Sequence, residues 1–88
     1  MNKLHKQINQ PKIETFSYCG DNDTYTIAII TQTLAGGTIL LEAWYNRDME
    51  GIAHHACGVV GDTEENKNII INEAINLIEI EDKEDYEN

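Results

Sequence analysis

Hydrophobic and polar residues alternate with a period of two over residues 12–45, a segment rich in Thr, Tyr and Ile. This alternation is typical of β-strands that bury one face. Gly20-Asp21-Asn22-Asp23 and Gly36-Gly37 interrupt it, and glycine accepts the positive φ that tight hairpin turns require. The pattern therefore predicts a three-stranded β-meander. The predicted strands cover about 12–19, 24–33 and 38–45.

The alternation also assigns residues of the second and third strands to two faces. One face of the second strand carries Tyr25, Ile27 and Ile29, and the other carries Thr24, Thr26 and Ala28. In the third strand, Ile39, Leu41, Ala43 and Tyr45 lie opposite Leu40, Glu42 and Trp44.

Apolar residues after Tyr45 recur with helical spacing instead, at Met49, Ile52, Ala53, Ala56 and Val60. This spacing predicts a short helix with Asn46 as its N-cap and Gly58 at its end. The alternative is a fourth strand over residues 51–60. It is less favoured because neither alternating set of that segment is cleanly apolar.

A longer helix is predicted from about residue 63 to residue 80. Gly61 breaks the chain before it, and Asp62 or Thr63 can cap it, with Glu65 completing a pattern that resembles a capping box. Its broad apolar face consists of Ile70, Ile71, Ala74, Ile75, Leu77 and Ile78. Ile69 and Ile80 project into the opposite, polar face.

Residues 81–88 form an acidic segment that is expected to fray. The predicted fold class is α+β: a three-stranded antiparallel meander, followed by one short and one longer helix packed on one face, with an acidic C-terminal tail. Residues 1–80 would make one compact domain and residues 81–88 the tail.

The 88 residues include 16 Asp and Glu against 6 Lys and Arg, a formal net charge of -10. Such a charge argues against direct binding to nucleic acid or to an anionic membrane, and favours a basic protein as partner. Residues 1–11 contain no apolar signal-peptide region, and no apolar run approaches the length of a membrane span. We therefore expect a cytoplasmic protein with reduced, packed thiols at Cys19 and Cys57.

His54, His55 and Cys57, with Cys19 as a possible fourth ligand, form the one metal-like cluster in the sequence. Zinc would suit these ligands, but adjacent histidines on a helix point about 100° apart. We therefore expect solvated histidines, no metal, no cofactor and no catalytic residue. A small metal-dependent or thiol enzyme that uses His54, His55 and Cys57 stays open as an alternative.

The carboxylates concentrate in the last third of the chain and in the turns. Acidic residues spaced along a helix and its flanking turns can offer a row of negative charge to a cationic groove, and exposed apolar residues can fix the complex. The candidate partner-binding residues are Asp21, Asp23, Asp48, Glu50, Glu64, Glu65, Ile69, Glu73, Glu79 and Ile80.

In its size, in these acidic residues and in its compact α+β plan, the chain resembles the small acidic inhibitors carried by phages and mobile elements. That class includes anti-CRISPR, anti-restriction and other DNA-mimicking proteins. The resemblance implies an inhibitor that binds stoichiometrically and blocks a nuclease or defence effector without turnover. Toxin-immunity proteins share these features and are the alternative. A homodimer is also possible, because the edge strand of a sheet invites pairing.

Overall fold

The computed structural model describes residues 11–87, with side chains over residues 11–84. Within that part of the chain, four β-strands, one short 3-10 turn and one α-helix follow each other. The strands are β1 (Lys12–Cys19), β2 (Thr24–Thr33), β3 (Ile39–Arg47) and β4 (His54–Val60), and the helix is α1 (Glu64–Glu87). The α+β class is confirmed, but the expected three strands and two helices are four strands and one helix in residues 11–87.

The strands form an antiparallel meander in the order β1-β2-β3-β4. The first two strands have the predicted bounds, and the third extends two residues further, to Arg47. Gly36 and Gly37 both adopt positive φ, at 88° and 89°, in the turn between β2 and β3. This confirms the prediction that a glycine pair makes the second turn.

The core lies between α1 and one face of the sheet. The sheet contributes Tyr25, Ile27, Ile29, Leu41, Ala43 and Tyr45, and the helix contributes Ile70, Ala74 and Ile78. Apart from Ile39, which is only half-buried, the sheet residues are one of the two predicted faces of the second and third strands. The helix residues are three members of the predicted apolar face. The isoleucines of α1 are poor helix formers, so packing on the sheet stabilises the helix.

The predicted short helix after Tyr45 is wrong, because that segment forms the end of β3, a loop and β4. The pairing between β3 and β4 shifts register: Ala43 pairs with Cys57, and Trp44 pairs with His55. Ala56 is therefore the extra residue of a β-bulge. The bulge interrupts the two-residue alternation, so the less favoured fourth strand had no clean apolar pattern.

Helix α1 begins after Thr63, whose Oγ1 accepts a hydrogen bond from the backbone N–H of Asn66 at 3.0 Å. The side-chain amide of Asn66 donates in turn to the backbone carbonyl oxygens of Val60 and Gly61. Thr63 is thus the cap, as one of the two candidates. Asn66, rather than Glu65, links the first turn of the helix to the residues before it.

The helix ends later than predicted. It continues through the acidic segment to Glu87, whereas fraying was expected from residue 81; residue 88 lies outside the described residues. Asp82 is only 3% exposed and bonds to the turn between β1 and β2, so this part of α1 is held against the sheet. Although it is 24 residues long, α1 is too polar to cross a membrane, and no other helix occurs within residues 11–87.

The second face of the sheet, named here the open face, has no element over it within residues 11–87. Strand register assigns its residues, since cross-strand partners share a face. They are Ile13, Thr15, Ser17, Cys19, Thr24, Thr26, Ala28, Ile30, Gln32, Leu40, Glu42, Trp44, Asn46, His55, Gly58 and Val60.

Candidate partner-binding surface

Carboxylates gather at one end of the molecule, where the β1–β2 turn and the β3–β4 loop meet the last turns of α1. We call this region the acidic end. It contains Asp21, Asp23, Asp48, Glu50, Glu79, Glu81 and Asp82. The meander forms this cluster because the β1–β2 turn and the β3–β4 loop lie at the same end of the strands, next to the carboxyl end of the helix.

Arg47, the last residue of β3, lies at the centre of the acidic end. Its guanidinium is 3.5 Å from Asp23, 3.8 Å from Glu50 and 3.2 Å from Glu81. It also donates a hydrogen bond to the hydroxyl of Tyr25 at 3.3 Å and lies 5.6 Å from the centre of that ring. One cation therefore joins the turn, the loop and the helix, and it faces more negative charge than it can neutralise.

Asp82 holds the helix to the β1–β2 turn. Its carboxylate accepts hydrogen bonds from the backbone N–H groups of Asn22 and Asp23, each at 3.0 Å, and from the Tyr25 hydroxyl at 3.2 Å. Desolvation by burial opposes ionisation of this carboxyl, but the hydrogen bonds outweigh it and lower the pKa of Asp82. Gly20 leaves room for the contact, because a Cβ there would lie 3.0 Å from the carboxylate.

Two tyrosines of the acidic end are held in the protonated form. The Tyr18 hydroxyl donates to Glu79 at 2.5 Å, and this bond, together with burial and nearby carboxylates, raises the pKa of Tyr18 to about 12. Burial raises the pKa of Tyr25 to about 12 against the lowering influence of Arg47. Glu79 and Asp82 therefore have fixed hydrogen-bond donors.

A second group of candidate residues lies on the outward side of α1. Ile69 and Ile80 are 49% and 54% exposed, and their separation of eleven residues places them on one side of the helix, about 16 Å apart. Exposed Glu65 and Glu73 lie on the same side. We call these four residues the acidic ridge. The prediction that both isoleucines face away from the core is confirmed.

The structure thus places nine of the ten predicted site residues in two groups and leaves Glu64 outside both. Asp21, Asp23, Asp48, Glu50 and Glu79 belong to the acidic end, and Glu65, Ile69, Glu73 and Ile80 form the acidic ridge. Glu64 lies at the opposite end of α1, 3.6 Å from Lys67, which also contacts Glu14 at 3.0 Å. Within the acidic end, Asp23 and Glu50 pair with Arg47, and Asp48 accepts a hydrogen bond from Thr26 at 2.8 Å.

Arg47, Glu81 and Asp82 organise the acidic end, and sequence reasoning did not select them. A signal for Asp82 exists in the sequence, because Ile70, Ala74, Ile78 and Asp82 recur every four residues on the buried side of the helix. Its charge and its place in an acidic run concealed that signal. Arg47 had no comparable signal, since its partners come from four separate segments.

The histidines and cysteines do not converge on one point. His54 and His55 are neighbours on β4 and point to opposite faces of the sheet, the first 3.8 Å from Glu50 and the second 3.3 Å from Glu42. The prediction that they lie on a short helix is wrong, because both belong to β4. Among the described residues, no group of three or more His, Cys, Asp or Glu could hold a metal ion.

The surroundings of Cys57 do not favour a nucleophilic thiol. Burial, with a contribution from Glu73, raises the pKa of Cys57, so its reactive thiolate is disfavoured. Cys57 Sγ lies 3.8 Å from the backbone oxygen of Ile70, and both cysteines are free thiols. Cys57 is packed as expected, whereas Cys19 is exposed. These surroundings count against the thiol-enzyme alternative.

Comparison with known proteins provides no relative for this arrangement. The chain matches no protein-family description, no curated protein and no solved structure.

Proposed function

We propose that this protein is a small acidic inhibitor that binds a basic, nucleic-acid-binding partner, such as a nuclease or a CRISPR-type or restriction-type defence effector, and blocks it without turnover. The observation that carries this proposal is the excess of carboxylates over cations at two ion-pair sites among the described residues, around Arg47 and around Lys67. Arg47 faces three carboxylates and Lys67 faces two, so even the local ion pairs leave the surface negative. A cationic groove would gain from contact with such a surface.

The charge density of α1 favours general electrostatic attraction of a basic partner rather than a charge-by-charge imitation of the DNA phosphates. Nine carboxylates and two lysines lie on its 24 residues, which span about 36 Å. Duplex DNA of that length carries about 21 negative charges. The net charge of the helix is thus about a third of that of DNA, enough to guide a basic protein but too sparse to match each phosphate.

The acidic ridge supplies a means of retaining the partner after arrival. Exposed Ile69 and Ile80 lie among carboxylates on a rigid helix, and apolar residues inside a charged rim are typical of binding hot spots. Charge would then govern the association rate, and the two isoleucines would govern the lifetime of the complex.

The test is inhibition of DNA cleavage by a panel of purified basic nucleases, nuclease toxins and CRISPR or restriction effectors, at 50 and 200 mM NaCl. We expect one panel member to be blocked at a one-to-one ratio, at least tenfold less tightly at the higher salt. If the blocked enzyme is a nuclease toxin, the protein belongs to the toxin-immunity class.

A charge variant and a matched neutral variant make the test specific to the acidic ridge. Glu65→Gln/Glu73→Gln should weaken inhibition about tenfold at 50 mM NaCl, because two attractive charges are lost. Asn72→Gln/Asn76→Gln lengthens two exposed side chains of the same helix without changing charge, and should inhibit like the parent. Equal inhibition by both variants, or affinity that does not change with salt, would contradict the proposal.

A further inference from the structure

The open face differs from the rest of the surface in its charge. On the strands of the open face, Glu42 is the one carboxylate, and its Oε2 lies 3.3 Å from Nε2 of His55. Asp48 reaches the rim of the face, where it accepts a hydrogen bond from Thr26 at 2.8 Å. The chain as a whole has 16 carboxylates, so this face carries little charge for a strongly negative protein, and a basic partner has little to attract it there.

The same face carries an apolar patch. Ile13 and Val60 are 62% and 63% exposed on the two edge strands, and Ile30, Leu40 and Trp44 are half-buried between them. Trp44 also contacts the ring of His55 edge-on, with ring centres 4.9 Å apart. Register places Glu42 between Leu40 and Trp44 on β3 and opposite Ile30 on β2, so the pair of Glu42 with His55 lies within the patch. Exposed apolar residues grouped on an uncovered sheet face are typical of an interaction site.

We propose that the open face is the interface between two copies of this chain, related by a two-fold axis, so that two sheets stack face to face between two outer helices. Antiparallel sheets commonly pack in this way, about 10 Å apart, with their side chains interdigitated. A neutral, apolar surface is complementary to a second copy of itself. It does not complement a cationic groove.

The arrangement also separates the negative charges of the two copies. Four layers spaced about 10 Å apart place the two α1 helices about 30 Å from each other. This is more than three Debye lengths at physiological ionic strength, where the Debye length is about 8 Å, so the repulsion is largely screened. Both acidic ridges and both acidic ends stay accessible, and the dimer would offer two binding surfaces.

The area of the face predicts a weak dimer. Four strands spaced about 4.8 Å apart, with about eight residues each, cover about 500 Å² per copy and about 1,000 Å² in total. That is the lower limit for a specific interface. We therefore expect a dissociation constant in the micromolar range, with monomers dominant below about 1 µM.

The experiment is sedimentation of the full chain from 1 to 500 µM, with the fluorescence of its single tryptophan followed over the same range. The mass should rise from 10.0 kDa towards twice that value, and Trp44 emission should shift to the blue as the face is covered. Ile30→Lys should raise the dissociation constant at least tenfold. Ile69→Lys, the same substitution on the helix side, should leave it unchanged.

Val60→Lys is the second variant, because Val60 is already exposed in the single chain and its replacement should preserve the fold. It should also weaken the dimer, and circular dichroism checks that the variant is folded.

Three results would overturn the proposal. The chain could stay monomeric at 500 µM. A dimer could persist in both open-face variants, which would indicate edge-strand pairing. A monomer could protect Trp44 from acrylamide, which would indicate that residues 1–10 cover the face. None of these results bears on binding through the acidic ridge.

Discussion

The two faces of the sheet share the same four strands but have different surroundings. On the helix side, Ile27 and Ile29 of β2 are almost fully buried, whereas their neighbours Ala28 and Ile30 on the open face are only half-buried. Alternation placed residues on the correct faces, yet β2 is apolar on both. A strand can therefore carry apolar residues on both sides while residues 11–87 supply a covering layer for one of them.

The largest expected difference between the faces is in packing energy. Ile29→Ala should lower the free energy of unfolding by about 3 kcal/mol, because it leaves a cavity in the core. Ile30→Ala should cost less than about 1 kcal/mol at a protein concentration below about 1 µM, where the single chain dominates. Urea unfolding measures both. Equal losses would mean that the open face is covered within one chain.

The second effect concerns the polar contacts that fasten α1 over the covered face. Asp82→Ala leaves two backbone N–H groups and the Tyr25 hydroxyl without their acceptor, so we expect Tm to fall by roughly 10 °C. Asp21→Asn, an exposed carboxylate of the same turn, is the matched control and should change Tm by less than about 2 °C. If Asp82→Ala melts like the control, the hydrogen bonds do not stabilise the fold.

Acid should weaken the same contacts in the parent protein. The folded-state pKa of Asp82 lies below its ordinary value of 3.8, so its stabilising contribution is complete above pH 3.8 and is lost as the pH falls through the folded pKa. Asp82→Asn removes that titration, and its Tm should fall less steeply than that of the parent below about pH 4. If Tm fell equally steeply with pH in the parent and in Asp82→Asn, the Asp82 carboxylate would not be the source of the acid sensitivity.

The smallest expected effect is at the edge of the covered face, at Tyr18. Tyr18→Phe should cost less than about 1 kcal/mol, since its bond to Glu79 is exposed. The hydroxyl contributes fully below pH 10, and the contribution is lost as the pH rises towards the folded-state pKa of about 12. Glu79→Gln should return the pKa of Tyr18 towards 10 in an absorbance titration. An unchanged pKa of Tyr18 in Glu79→Gln would mean that the hydrogen bond to Glu79 is not what raises it.

Strands β1 and β2 were predictable because unbroken alternation and turn residues act locally. Strand β4 was not, since the bulge at Ala56 shifts the alternation by one residue, and bulges depend on the pairing with β3. The extent of α1 was misjudged for a related reason. Asp82 is buried by hydrogen bonds to residues about sixty positions earlier in the chain, and such distant partners leave no local pattern.

The acidic ridge was predictable because two isoleucines on a polar helix side stand out. Residues of the acidic end could be selected by charge, but their arrangement around Arg47 could not be foreseen. It depends on the β1–β2 turn, the β3–β4 loop and the end of the helix coming together, which only the folded meander establishes.

The order of elements has a consequence for synthesis of the protein. All four strands precede α1 in the chain, so among the described residues nothing covers the core side of the nascent meander until the helix has been translated. A ribosome that adds about 5–20 residues per second needs roughly one to five seconds for the 24 residues of α1. During that interval the apolar residues of the core side are exposed, and chaperones have their clearest opportunity to bind them.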